Sequence, residues 1–153
     1  MTVDHETHMR RALEIARGNP DAPFGCVIAD GETGEVLAEG LNDAETSPVL
    51  HGETDAIIRL ARERPGVEWG RAVLYTTAEP CPMCSGAIVW SGIPRVVFGT
   101  SIGTLKELGL PQIDLACEEV SRRSSFGGFE VVGGVLEGEC DRLFEEMARR
   151  VRG

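Results

Sequence analysis

Two short motifs constrain this chain more than anything else in it: His51-Gly52-Glu53 and Pro80-Cys81-Pro82-Met83-Cys84. Cys81 and Cys84 stand at i and i+3, so a single helical turn aims both sulfurs at one point. In the first turn of a helix they also meet the positive end of its dipole, which favours thiolate over thiol. A fold that uses both motifs must therefore deliver His51 to the third corner from a separate element. One imidazole and two thiolates make a zinc donor set, and three protein ligands leave the fourth position open, as in catalytic sites. Water at such a position has its pKa lowered from ~15.7 to about 7. Glu53, two residues beyond the histidine, is placed to move that water's protons. A structural zinc would need a fourth protein ligand at similar spacing, and Cys117 is the one loose candidate.

The pattern H-x-E … P-C-x-x-C is a signature of zinc deaminases. Pro23-Phe24-Gly25, Asn42, His51-Gly52-Glu53-Thr54-Asp55-Ala56 and Thr76-Thr77-Ala78-Glu79-Pro80-Cys81-Pro82-Met83-Cys84 resemble the cytidine/deoxycytidylate deaminase superfamily, specifically its guanine, cytosine and tRNA-adenosine deaminase branch. The similarity runs from about Thr7 to Phe98. Riboflavin-pathway deaminases resemble the first half but space the second cysteine further from the first. The resemblance implies a zinc-dependent hydrolase of cyclic amidines, with one zinc per chain and Glu53 as proton shuttle. Its implied substrate is a free nucleobase or base-like aminoheterocycle (guanine, cytosine, isocytosine or an amino-triazine), deaminated with release of ammonia. The alternative is a tRNA-specific adenosine deaminase. A third reading, a non-catalytic zinc-binding subunit, fits poorly because such relatives typically lose the carboxylate. The resemblance further implies a homodimer with shared pocket walls, its contact drawn from Leu105, Leu108 and Leu110 or from the last helix.

Charge weighs on the choice between these readings. A net charge of −10 repels a polyanion unless a basic stripe overrides it. The only basic clusters, Arg122-Arg123 and Arg149-Arg150 with Arg152, read as exposed helix faces. Nucleic acid is thus a disfavoured partner. The length of 153 residues fits one domain, residues 1–153, able to bury a core without staples. No apolar run approaches the ~18 residues of a membrane span. Asp4, His5 and Glu6 open neither a signal nor a transit peptide, so the expected compartment is cytoplasmic. Cys26, Cys117 and Cys140 show no pairing logic and read as reduced, buried thiols.

Along the chain, Thr2 to Arg17 reads as a helix with Met9, Leu13 and Ala16 on one face, stopped by Gly18-Asn19-Pro20. Phe24 to Ala29 and Glu35 to Leu41 read as a hairpin around Asp30-Gly31-Glu32-Thr33-Gly34. Ser47-Pro48 signals helix entry, placing His51 and Glu53 in the first turn of a helix to about Arg64. Val73 to Thr77 is a β-branched central strand, and Pro80 starts the cysteine helix, which ends near Ser91-Gly92. Arg95 to Gly99 follows as a strand parallel to it through a right-handed crossover. Thr104 to Gly109 and Ile113 to Arg122 read as short helices, Phe129 to Val132 as a fifth strand and Glu139 to Val151 as an amphipathic helix. The sum is an α/β chain: a three-layer α/β/α sandwich on a mixed five-stranded sheet, as the resemblance also implies.

Several residues carry two readings. Asn42 is either a turn residue or, by resemblance, a hydrogen-bonding partner for the base. Phe24 is a core strand residue or the aromatic wall that a planar ring needs. Ala78 and Glu79 precede the cysteine motif, where backbone groups reach a substrate ring, yet Glu79 serves equally as a cap. Trp90 ends the cysteine helix, as core packing or as the aromatic that lines the pocket near a dimer interface in guanine-deaminase-like members. Gln112 and Asp114 fall where guanine deaminases carry an acidic reader of the purine edge, or in a solvated loop.

Overall fold

A computed structural model describes residues 4–152. The first helix, α1, spans His5–Ala16 and is capped by the Asp4 carboxylate, which accepts from Glu6 N and Thr7 N; Thr2 and Val3 lie outside the described residues. The predicted hairpin forms from β1 (Gly25–Asp30) and β2 (Val36–Leu41), antiparallel with a bulge between Ile28 and Ala29. Next come α2 (Gly52–Glu63), the central strand β3 (Ala72–Ala78), α3 (Pro82–Ser91) and β4 (Arg95–Thr100). The chain continues through α4 (Ile102–Glu107), α5 (Cys117–Arg122), β5 (Glu130–Val132) and α6 (Glu137–Arg152).

The sheet order is β2-β1-β3-β4-β5. The β1–β3 pair is antiparallel, whereas β3–β4 and β4–β5 are parallel, so the sheet is mixed as expected. Strand alternation sorts the core into two faces. Cys26, Ile28, Ala72, Leu74 and Val96 pack against Ala56 and Leu60 of α2 and Ile88 and Val89 of α3. Val27, Ala29, Val73, Tyr75 and Val97 face α1, through Met9, Ala12 and Leu13, and Cys140 of α6. Cys26, Cys117 and Cys140 are free thiols inside this core. At the C-terminal end of β3 a smaller cluster joins Ala78, Leu105, Leu110, Phe144 and Ala148.

Among the boundaries that differ from the sequence expectation, three helix starts do so for a clear local reason. Helix α2 starts at Gly52, not near Pro48, because 43–50 is a closed loop in which Asp43 N donates to Leu50 O (2.9 Å). Helix α4 starts two residues early at Ile102, since the Ser101 side chain caps it by accepting from Thr104 N. Helix α5 starts at Cys117 rather than Ile113: Ala116 is extended, and Ile113 and Leu115 project outward instead of forming a helix face. Leu105 and Leu110 are buried in their own chain, which removes them as dimer contacts.

Candidate active site

Two helix starts meet beside the end of β3. His51 is the N-cap of α2 and Cys81 the N-cap of α3, with Pro82 opening α3 and Cys84 in its first turn. Glycines allow this convergence. A Cβ at Gly40 would collide with Gly52 O and lie 2.6 Å from Ala56 N, and one at Gly52 would collide with Phe24 O. The start of α2 thus lies directly on the backbones of β1 and β2. Asp55 fastens the contact: its Oδ2 accepts from Leu41 N at 3.1 Å while Oδ1 pairs with Arg59.

The Nδ1 of His51 lies 3.5 Å from Cys81 Sγ and 3.6 Å from Cys84 Sγ. Zinc with Zn–N of about 2.0–2.1 Å and Zn–S of about 2.3 Å at tetrahedral angles separates such ligand atoms by about 3.6 Å. The donor set and its spacing fit zinc, and these three residues form the metal-competent cluster among the described residues. Without a cation the sulfurs share one negative charge: the Cys84 thiol donates to Cys81, lowering Cys81 to about 4, and that thiolate drives Cys84 upward. The same thiolate holds the His51 imidazole above its usual range. A dication takes over this role and displaces the remaining protons.

Glu53 sits on the next position of the α2 turn, only 4% exposed. Burial first, and the Cys81 charge second, raise its carboxyl above the ordinary range. The Thr76 hydroxyl lies 3.1 Å from Glu53 Oε1 and 3.0 Å from Ala78 O. The Thr76 hydroxyl is the donor in both contacts, so its one proton is shared between the Glu53 carboxyl and the Ala78 carbonyl. Its neighbour Thr77 points to the opposite face, donating to Pro23 O (2.9 Å) and accepting from Gly25 N (3.1 Å), and so holds the backbone on both sides of Phe24.

A cavity of about 260 Å³ opens beside these groups. His51, Glu53 and Cys81 line it together with Phe24, Asn42 and Glu79, and with Leu110, Pro111, Gln112 and Met147 from the C-terminal third. Phe24, just ahead of β1, borders the cavity, and its ring also packs on Phe144 at 5.0 Å. Asn42 Oδ1 accepts from Ala44 N at 3.3 Å, a turn bond, and the residue still borders the cavity.

Three candidates are not among the residues lining this cavity. Trp90 stands nine positions beyond Cys81, about 13 Å along the helix, where it is 78% exposed and stacks on Phe126. Asp114 turns outward to pair with Lys106 at 2.6 Å. Ala78 is buried in the small cluster behind the site. Glu79 borders the cavity, but its carboxylate is occupied by backbone, accepting from Ile102 N (2.9 Å) and Cys117 N (2.8 Å). Sequence reading missed Thr76, Thr77 and Asp55, although two threonines ending an apolar strand were a usable signal. It also missed Leu110, Pro111 and Met147, for which no local pattern exists.

Residues 2–100 match the cytidine and deoxycytidylate deaminase zinc-binding region. The chain belongs to this family. It is a hydrolytic deaminase with zinc as its cofactor. A probable cytosine deaminase from Schizosaccharomyces pombe is 34% identical over 140 residues, 87% of this chain and 85% of that protein. A tRNA-specific adenosine deaminase from Bacillus subtilis is 32% identical, covering 99% of this chain and 92% of its own length. The fold matches a solved guanine deaminase from Nitrosomonas europaea with a TM-score of 0.78, at 24% identity over 97% of this chain and 87% of the other.

Proposed function

We propose that this deaminase acts on a free nucleobase or a base-like aminoheterocycle. The carrying observation is the cavity: about 260 Å³, walled by Phe24 and by the neutral amides of Asn42 and Gln112. That volume falls below the ~300–1,000 Å³ common for drug-sized ligands. Among the described residues no Lys or Arg lines it, so nothing there favours a phosphate.

Zinc held by His51, Cys81 and Cys84 supplies Lewis-acid activation of water. Glu53 takes a proton from the attacking water as oxygen bonds to the amine-bearing ring carbon, and passes it to the adjacent ring nitrogen. It then carries the second water proton to the amine. The C–N bond breaks, ammonia leaves, and the carbon becomes a carbonyl. Thr76 keeps the carboxyl oriented through both transfers, and Phe24 offers a face for the ring to lie on.

The tRNA reading has one observation in its favour, the similarity to the Bacillus subtilis enzyme over nearly the whole chain. Charge opposes it. The groove leading to the cavity carries Asp21, Asp43, Glu45 and Asp55 against Arg59 alone. The basic clusters are partly paired: Arg122 and Arg123 share Glu119, Arg149 meets Glu146, Arg150 meets Asp21, and Arg152 donates to the Leu108 carbonyl. The deciding experiment measures ammonia release from zinc-loaded protein with guanine, cytosine, isocytosine and amino-triazines, and inosine formation in a folded tRNA. Turnover of a free base is expected; deamination confined to the tRNA would overturn the proposal. The same reading includes a homodimer meeting through the exposed Trp90–Phe126 face, and sedimentation of a fully active monomer would remove that part.

A further inference from the structure

The carboxylate of Glu79 joins three pieces of chain that are distant in sequence. Its own backbone N–H donates to Thr100 O at 2.7 Å, extending the β3–β4 ladder past Ala78 and Thr100. Its two oxygens then accept separate bonds, one from Ile102 N at the first residue of α4 and one from Cys117 N at the first residue of α5. Both N–H groups belong to the first turn of a helix, where no intrahelical acceptor exists. A carboxylate is suited to this double task because both oxygens only accept.

The geometry points to Glu79 as the positioning residue that fixes the far wall of the cavity relative to the metal ligands. The segment between the two amides contains Leu110, Pro111 and Gln112, which line the cavity together with His51, Glu53 and Cys81. Glu79 grips that segment at both ends, and only Pro80 separates it from Cys81. The separation between metal corner and wall, which a ring must span from its reacting carbon to its outer edge, is thereby set within one dipeptide of Cys81. A charged hydrogen-bonding group with both oxygens committed to backbone is poorly placed to bind substrate itself. It acts through Gln112 and its neighbours.

This inference rests on the nucleobase reading only for its kinetic half, and the test separates the two. Backbone hydrogen exchange at Ile102 and Cys117 is measured in the zinc-loaded protein and in Glu79→Ala and Glu79→Gln. Loss of a bond to a charged acceptor should speed exchange at both amides about tenfold or more in Glu79→Ala. Glu79→Gln keeps one acceptor oxygen and turns an NH2 toward the other amide, so one amide stays protected and the other is released. Where Glu79→Ala fails to fold, Glu79→Gln carries the test alone. Steady-state kinetics on guanine or cytosine, whichever is turned over, should show KM raised about tenfold with kcat within about threefold, and a smaller KM change for Glu79→Gln, because misplacing a wall weakens binding more than chemistry. Unchanged exchange at both amides in Glu79→Gln overturns the proposal, as does a loss confined to kcat, which would put Glu79 against the reacting atoms. A protein inactive on every free base, but with the expected exchange pattern, would sink the substrate reading and leave the clasp standing.

Discussion

The two sides of the cavity are held in different ways. On the metal side, His51, Glu53, Cys81 and Cys84 come from two helix starts, and that of α2 is seated on backbone, with Gly40 and Gly52 leaving no room for even a methyl group. Elsewhere in its lining, Leu110, Pro111 and Gln112 come from the stretch between α4 and α5, and Met147 comes from α6. The stretch is held by the Leu110 N–H to Leu105 O bond (3.0 Å), by packing of Leu110 on Phe144 and Ala78, and at its ends by one carboxylate. The chemistry common to a deaminase family needs fixed geometry, and backbone contact provides it. Discrimination among rings depends on individual hydrogen-bond partners, and a wall joined by side chains can change without disturbing the metal.

The contrast implies effects of graded size. Glu53→Gln keeps the fold and the zinc but removes the proton carrier, and kcat should fall by about 10²–10⁴-fold. Single-turnover ammonia release together with metal analysis checks this, and full activity would take Glu53 out of the mechanism. Gly40→Ala forces a Cβ into Gly52 O and should destabilise the protein by about 1–3 kcal/mol and weaken zinc retention with it. A Cβ at Gly138 in α6 meets nothing within 4 Å, so Gly138→Ala should instead gain about 0.4–1 kcal/mol. Denaturant melts of the two variants check the opposite signs. Gln112→Ala should leave zinc content and melting unchanged and alter the KM ratio between cytosine and guanine by about tenfold or less. A collapse of kcat on all substrates would show that the far wall is not separable from the chemistry.

The same division decided how far the sequence could be read. Cys81 and Cys84 at i, i+3 after a proline, with Glu53 two beyond His51, are local patterns whose geometry follows from helix pitch. The β1–β2 hairpin and the parallel β3–α3–β4 unit are also local, and both form. Met147 looks like any apolar position on an amphipathic helix until α6 is folded back over the end of β3. Asp114 and Gln112 are nearly adjacent in sequence, yet one pairs with Lys106 at the surface and the other faces the cavity. Nothing in the spacing tells them apart, because the backbone between α4 and α5 is irregular. Trp90 lies away from the cavity of its own chain for a plainer reason: a helix that starts at the site carries its far end away from it.

The His51 main chain has one further consequence. Its N–H donates to Thr54 Oγ1 at 2.9 Å, and that hydroxyl donates to Val49 O at 2.7 Å, so the residue is pinned from both sides of the helix start. Much of the conformational freedom that a metal would otherwise have to freeze is already gone when the polypeptide has folded. Ion capture by such a corner resembles a key entering a cut lock more than a clay mould closing round a stone, and its affinity benefits accordingly.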